Sequence, residues 1–179
     1  MTVGAAGRTR THAVAPCLGT LLLACLSLTA CAPSLNWREV QLARLSTLLP
    51  CKPDSASRPV TLGGQTVTMD MAGCEAGGAL FAVSRVEARD AAQAASLLAS
   101  LRQASLANIA KAEVHPVANS GDALTSFDVL VDGQRADGTP LQARLKWLLA
   151  DREVYQIAAY AGQLHTEQTE NLVTEARIR

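Results

Sequence analysis

Aromatic side chains are scarce in this chain of 179 residues: two Trp, two Tyr and two Phe make up 3% of it. Stacking of bases or sugars on aromatic platforms therefore has few residues to work with. Net charge is missing too, since sixteen Lys and Arg balance sixteen Asp and Glu. Such a chain carries neither the basic footprint of a nucleic-acid binder nor the polybasic patch that seeks anionic lipid. No nucleic-acid partner is expected. Histidine is rare, with three in all, and none stands at zinc-type spacing from a pair of cysteines. Gly63-Gly64 and Gly77-Gly78 are not phosphate loops, because neither joins a strand to a helix with Lys-Ser/Thr following. No cofactor or metal is implied. What the chain does have is 49% hydrophobic residues, enough for a real core and against disorder. Its length suits one ordinary domain plus a targeting segment.

The charges that exist are unevenly placed. Residues 1–12 are polar and contain Arg8, Arg10 and His12. An uncharged stretch, Val14–Leu28, follows. A basic start and a short apolar run read as an export signal. The run is too short for a comfortable membrane-spanning helix of about 20 residues, and Pro16 interrupts its start. With Arg8 and Arg10 set aside, fourteen bases face sixteen acids in the remainder.

The stretch ends at Leu28-Thr29-Ala30-Cys31, which resembles the lipobox of bacterial lipoprotein signal peptides. The resemblance covers only the first 31 residues. It implies a diacylglycerol thioether on Cys31, cleavage just before it, and acylation of the new amino terminus. On this reading residues 1–30 are a cleaved signal peptide, residues 31–43 a tether containing Trp37, and residues 44–179 one domain facing the periplasm. Two or more acyl chains, at about 0.8 kcal/mol per buried methylene, give firm anchoring where one does not. Ala32 stands where an aspartate would mark inner-membrane retention in enteric bacteria, so the resemblance points to the outer membrane. Unmodified Cys31 after an ordinary signal is the alternative.

Five cysteines are present. Cys17 and Cys25 leave with the signal and Cys31 goes to lipid. Cys51 and Cys74 remain as an even pair in an oxidising compartment, and a disulfide between them is predicted. It would close a loop of about 24 residues and restrain the unfolded chain by roughly 3 kcal/mol. The alternative is two free thiols. Metal binding with distant His115 and His165 lacks the spacing, and a redox pair would sit closer together, as in C-x-x-C.

Period-two and helical patterns organise the rest. Arg44–Pro50 reads as a first strand, followed by a polar loop over Cys51–Pro59. Val60–Leu62 meets Gly63-Gly64, the mark of a tight hairpin between strands. Val67, Met69 and Met71 then alternate with Thr66, Thr68 and Asp70. After Gly77-Gly78, Ala79–Val86 is another strand. Asp90 caps a helix expected over Ala91–Ala112, with Ala94, Leu97, Leu98, Leu101, Ser105 and Ile109 on one face and Arg102, Gln103 and Lys111 toward the other. His115-Pro116 is expected to stop it. Leu124–Val131 and Leu141–Leu149 form strands on either side of a turn at Gly133–Pro140. Val154–Tyr160, apolar on both faces, reads as a central strand ended by Gly162. Thr166 is expected to cap a last helix through Ala176. The fold class is α+β, with order βββ-α-βββ-α, about six mainly antiparallel strands, and helices packed on the sheet. This order resembles the PsbP-like α/β/α sandwich, without any diagnostic motif.

Candidate sites are sparse. His115 precedes a proline in an expected loop and His165 opens the last helix; both read as ordinary surface histidines. Asp122, Asp128, Asp132 and Asp137 cluster around the long hairpin but lack the ligand ladder of a calcium loop, and Asp132 and Asp137 read as turn residues. Arg144 and Lys146 mark a solvated or half-covered face. Met69, Met71 and Trp147 read as core. Trp37 packs on the domain or meets the membrane. The expected function is a lipid-anchored, non-enzymatic envelope module that binds a protein partner or aids assembly. The alternatives are a small-ligand-binding lipoprotein, with its ligand in the cleft of the sandwich, and an envelope hydrolase, which would need His115 or His165 beside a carboxylate in a deep pocket.

Overall fold

The structure is a computed structural model that describes residues 1–2, 35–117 and 125–179. The chain divides into two units, Met1–Ala32 and Pro33–Arg179, and every element below belongs to the second. In chain order these are β1 (Arg38–Leu42), β2 (Leu45–Leu49), β3 (Asp54–Leu62), β4 (Gln65–Ala76), β5 (Ala79–Glu87), α1 (Ala91–Ala107), β6 (Ala110–Pro116), β7 (Thr125–Gln134), β8 (Pro140–Ala150), β9 (Glu153–Ala161), α2 (Thr166–Thr174) and β10 (Arg177–Ile178). The class is α+β with antiparallel pairing, as expected, but ten strands form two sheets rather than about six forming one. The large sheet runs β3-β4-β5-β9-β8-β7-β6 and the small one β1-β2-β10.

Two hairpin ladders and one crossover build the large sheet. At Gly63-Gly64 and again at Gly77-Gly78 both central residues have positive φ, between 55° and 77°, the turn whose twist matches the flanking strands and which only glycine adopts without strain. From β5 the chain crosses the sheet through α1 to the far edge, then returns as β6-β7-β8-β9. The crossing covers four strand spacings, about 19 Å; a helix of 17 residues is about 25 Å long and spans it. Asp90 starts that helix, its carboxylate accepting from the Gln93 amide at 2.8 Å. The strand Val154–Tyr160, expected to be central, lies within β9, the middle strand of the seven.

The differences from expectation have local causes. Strand β1 falls in the segment expected as a tether, pairing with β2 from Arg38↔Leu49 to Leu42↔Leu45. Residues 54–59, expected as loop, are the first part of the edge strand β3, whose end at Val60–Leu62 was expected; six consecutive exposed residues over 54–59 leave no period-two signal, and pairing with β4 alone makes them extended. Helix α1 stops at Ala107 rather than Ala112. Its last expected turn is drawn into β6, which pairs with β7 after a register shift between Ala110 and Glu113. Ile109 packs where Gly133 has no Cβ, so β7 can hold the chain there. His115 and Pro116 consequently lie in a strand, and Lys111 with φ of 51° marks the irregularity. Arg102, expected on the open side of α1, lies with its guanidinium carbon 3.6 Å from the Phe127 ring centroid, a cation–π arrangement. Helix α2 is capped by His165 and ends at Thr174.

Each face of the large sheet has its own core. On one face Leu97 and Leu101 of α1, with Ile109 just beyond it, pack against Val86, Leu145, Trp147 and Val154. On the other, β2 and α2 pack Leu45, Leu49 and Leu172 against Phe81, Val83, Tyr155 and Ile157. Full burial of one such side chain contributes roughly 1.5–3 kcal/mol. The second face is also tied covalently: Cys51, just after β2, is disulfide-bonded to Cys74 in β4, with Cα atoms 6.0 Å apart. Thr47 donates to Leu172 O at 2.7 Å, which fixes α2 to the small sheet. Trp37 meets Phe81 edge-on at 6.3 Å between ring centroids; of its two expected settings it takes the one on the domain.

Candidate functional site: an open groove beside α1

One helix cannot cover a seven-stranded face. Register sets Met71 of β4, Ser84 of β5, Gln156 of β9 and Trp147 of β8 in one row across the sheet. The next rows carry Ala82 with Ala158, then Leu80 with Tyr160. Leu101, Ala104 and Ser105 of α1, with its C-cap Asn108, form the wall beside these rows. Between wall and sheet lies a groove of about 1090 Å³. Its floor is low because Ala82, Ser84 and Ala158 are short; Leu80, 42% exposed, stands at its open side. Arg58, Val60, Leu62, Met69 and Met71 line one end, while Glu75, Gly77, Gly78, Arg135 and Tyr160 line the other.

Polar groups in the groove wall are largely spent on one another. Gln156 Oε1 accepts from Ser105 Oγ at 2.8 Å and from Trp147 Nε1 at 3.2 Å. Its amide nitrogen donates to the Tyr160 hydroxyl at 3.4 Å. That hydroxyl accepts there and keeps its own proton for another partner. Burial pushes the Tyr160 phenol above its usual range, so it stays a neutral donor. An apolar hollow with a few convergent polar groups is the common form of a small-molecule site. The arrangement can bind and orient; the residues assembled around it include no nucleophile paired with a base.

Sequence signals for this site were faint but present. Gln156 is the one polar residue within the apolar run Val154–Tyr160, and Ser105 sits on the apolar face of α1. A polar residue in an apolar pattern signals a buried hydrogen bond. Nothing local shows that the two meet, 51 positions apart.

The other expected residues fall elsewhere. Cys31 and Asp122 lie outside the described residues. His115 Nε2 is 3.3 Å from Asp132 Oδ2 with both side chains about half exposed, on the edge pair β6–β7 and away from the groove. His165 is exposed, and its backbone amide donates to Gln168 at 3.0 Å. Asp132 is a strand residue, not a turn residue, and accepts from Gln142 at 2.8 Å. Asp137 does belong to the turn: Thr139 donates to it through both amide and hydroxyl, which holds its carboxyl below the usual range. Asp128 is buried and takes both arms of Arg144 at 2.7 Å. Lys146 donates to Val173 O at 3.0 Å, so these two cations occupy a half-covered face. Trp147 is fully buried. Among the described residues no group of three or more His, Cys, Asp or Glu is placed to hold a metal ion.

Fold and groove together define a class: an α+β two-sheet domain, cross-linked by a disulfide, with an open apolar cleft on its helical face. The sequence matches no known protein family, and no curated protein matches it.

Proposed function

We propose that this chain is a lipid-anchored envelope protein, tethered through Cys31 and facing the periplasm, that binds a small apolar ligand in the groove beside α1 without transforming it. The observation that carries the ligand reading is the groove itself, about 1090 Å³, just above the usual range of about 300–1,000 Å³ for small-molecule sites. The lipobox resemblance and the Cys51–Cys74 disulfide support an exported, oxidising setting. The outer membrane is the proposed location, on the residue after Cys31.

A second reading is a protein-binding module. All seven residues of the edge strand β6 are exposed, and an open strand edge accepts an added strand. Intact mass of the membrane-extracted protein tests the anchor: a chain starting at Cys31 with acyl mass added is expected, and one starting at Met1 without it would overturn the proposal. A thermal-shift panel tests the ligand: stabilisation by apolar small molecules is expected, and a flat response would reject ligand binding in favour of the partner reading.

A further inference from the structure

The groove has a polarity gradient along its length. The end at Val60, Leu62, Met69 and Met71 is aliphatic but for Arg58, which pairs with Met69 from the edge strand β3, and the end at Tyr160, Arg135 and Glu75 is polar. From Met69 to Ala76, β4 runs seven residues, about 23 Å, at 3.3 Å per residue. One leaflet of a bilayer holds its acyl chains within about 15 Å, half of the roughly 30 Å hydrocarbon core, so an extended chain fits.

Two arginines, Arg58 and Arg135, line the groove. Arg44, Arg85, Arg144, Arg152, Arg177 and Arg179 all face carboxylates within 4 Å. Among the described residues Arg38, Arg58, Arg89, Arg102 and Arg135 have no carboxylate so close; of these Arg58 and Arg135 line the groove, and Arg135 donates to Thr139 Oγ1 and Pro140 O. Arg135 and the free proton of Tyr160 stand at the polar end, where Glu75 is the one acid of the lining.

That polar end is also where the described domain begins. The Leu35 side chain lies against Gly77, 3.3 Å from where a Cβ would stand, and Gly77 lines the groove. Cys31 precedes Leu35 by four positions in the sequence.

We infer that the groove takes up one acyl chain carrying an anionic head group, a fatty acid drawn from the membrane, with the tail along Met71 and Met69 and the carboxylate at Arg135 and Tyr160. This rests on the ligand-binding and lipid-anchor readings above. The aliphatic end removes the tail from water, and a charge-assisted hydrogen bond from Arg135 selects the head. Gln156, already bonded to Ser105, Trp147 and Tyr160, asks nothing of the tail.

The test uses the full chain in membranes of expressing cells, exposed to palmitate bearing a photoactivatable diazirine in its tail, then irradiated and digested for mass spectrometry. Adducts are expected in peptides of β4, β5 and the second half of α1. Ala82→Phe fills the floor and should abolish them. Arg135→Gln, at an exposed turn, leaves the fold intact and should lower them about tenfold, the loss of one charge-assisted bond. The matching photoactivatable alcohol should label about tenfold less than the acid for the same reason. Adducts absent from these peptides overturn the inference. Equal labelling by acid and alcohol overturns the anionic head and leaves ligand binding standing. Groove labelling that appears only in Cys31→Ser means that the protein's own acyl chain fills the site, and overturns uptake from the membrane.

Discussion

The two faces of the large sheet are covered in different ways. The face toward the small sheet carries three strands, a helix and a disulfide; Phe81, Tyr155, Ile157 and Ala159 there have no exposed surface. The face toward α1 has one helix laid across seven strands. It buries Trp147, Leu145 and Val154 completely but leaves Met71, Ala82, Ser84 and Tyr160 along an open groove. One sheet thus serves two purposes. Its sealed face supplies stability, and its partly covered face has room for a ligand because no second element competes for that surface. Packing cost and binding capacity are separated by about one strand thickness.

The largest break in that comparison comes from removing matched apolar side chains. Phe81→Ala on the sealed face should cost about 3–5 kcal/mol, whereas Met71→Ala in the groove, where solvent or relaxation fills the space, should cost about 1 kcal/mol or less. Urea unfolding at neutral pH measures both, and equal losses would mean that the groove is packed shut. Next in size is the disulfide. Cys51→Ala with Cys74→Ala should lower stability by roughly 3 kcal/mol, with the small sheet losing amide protection before β7 and β8 do; uniform loss in hydrogen exchange would show a single cooperative unit. Adding volume should reverse the asymmetry. Ala159→Leu overpacks the sealed face and should cost about 1–3 kcal/mol; Ala82→Leu points into open space and should change stability by no more than about 0.5 kcal/mol.

The smallest effect is alkaline. The Tyr160 phenol is raised by burial in the folded state, so the folded chain holds that proton longer than the unfolded one. Its contribution is intact below the unfolded value near pH 10 and is lost as pH rises from there through the folded value. Tyr155, also raised by burial, adds a loss of the same sign. Tyr160→Phe should flatten the decline in melting temperature above about pH 10; an unchanged slope would assign the decline to other groups. A groove occupied by ligand should make the loss steeper than in the empty protein, because the neutral phenol is then also a donor to the ligand.

How far the residues spoke for themselves varies along the chain. The buried face of α1, namely Ala94, Leu97, Leu98, Leu101 and Ser105, was legible from spacing alone, as were both glycine hairpins and the alternation of β8. The disulfide followed from cysteine arithmetic. The first six residues of β3 were not legible, because an edge strand exposed over Asp54–Pro59 has no hydrophobic period to read, while its end at Val60–Leu62 was. Strand β6 was masked by helix formers, Ala107, Ala110 and Ala112, which tertiary pairing overrode. Strand β1 lies in the stretch just after Leu28–Cys31, where a tether was the simpler expectation.

The sequence by itself determined the class of fold, the cysteine pair and the central place of Val154–Tyr160, since each is written in residue pattern and composition. Only the tertiary structure decided that the strands divide into two sheets and that Ser105, Gln156 and Tyr160 meet beside a hollow. The reason is that a groove is made of space between elements. Its position depends on where α1 crosses the sheet and which strands it fails to cover, and no local pattern encodes a gap.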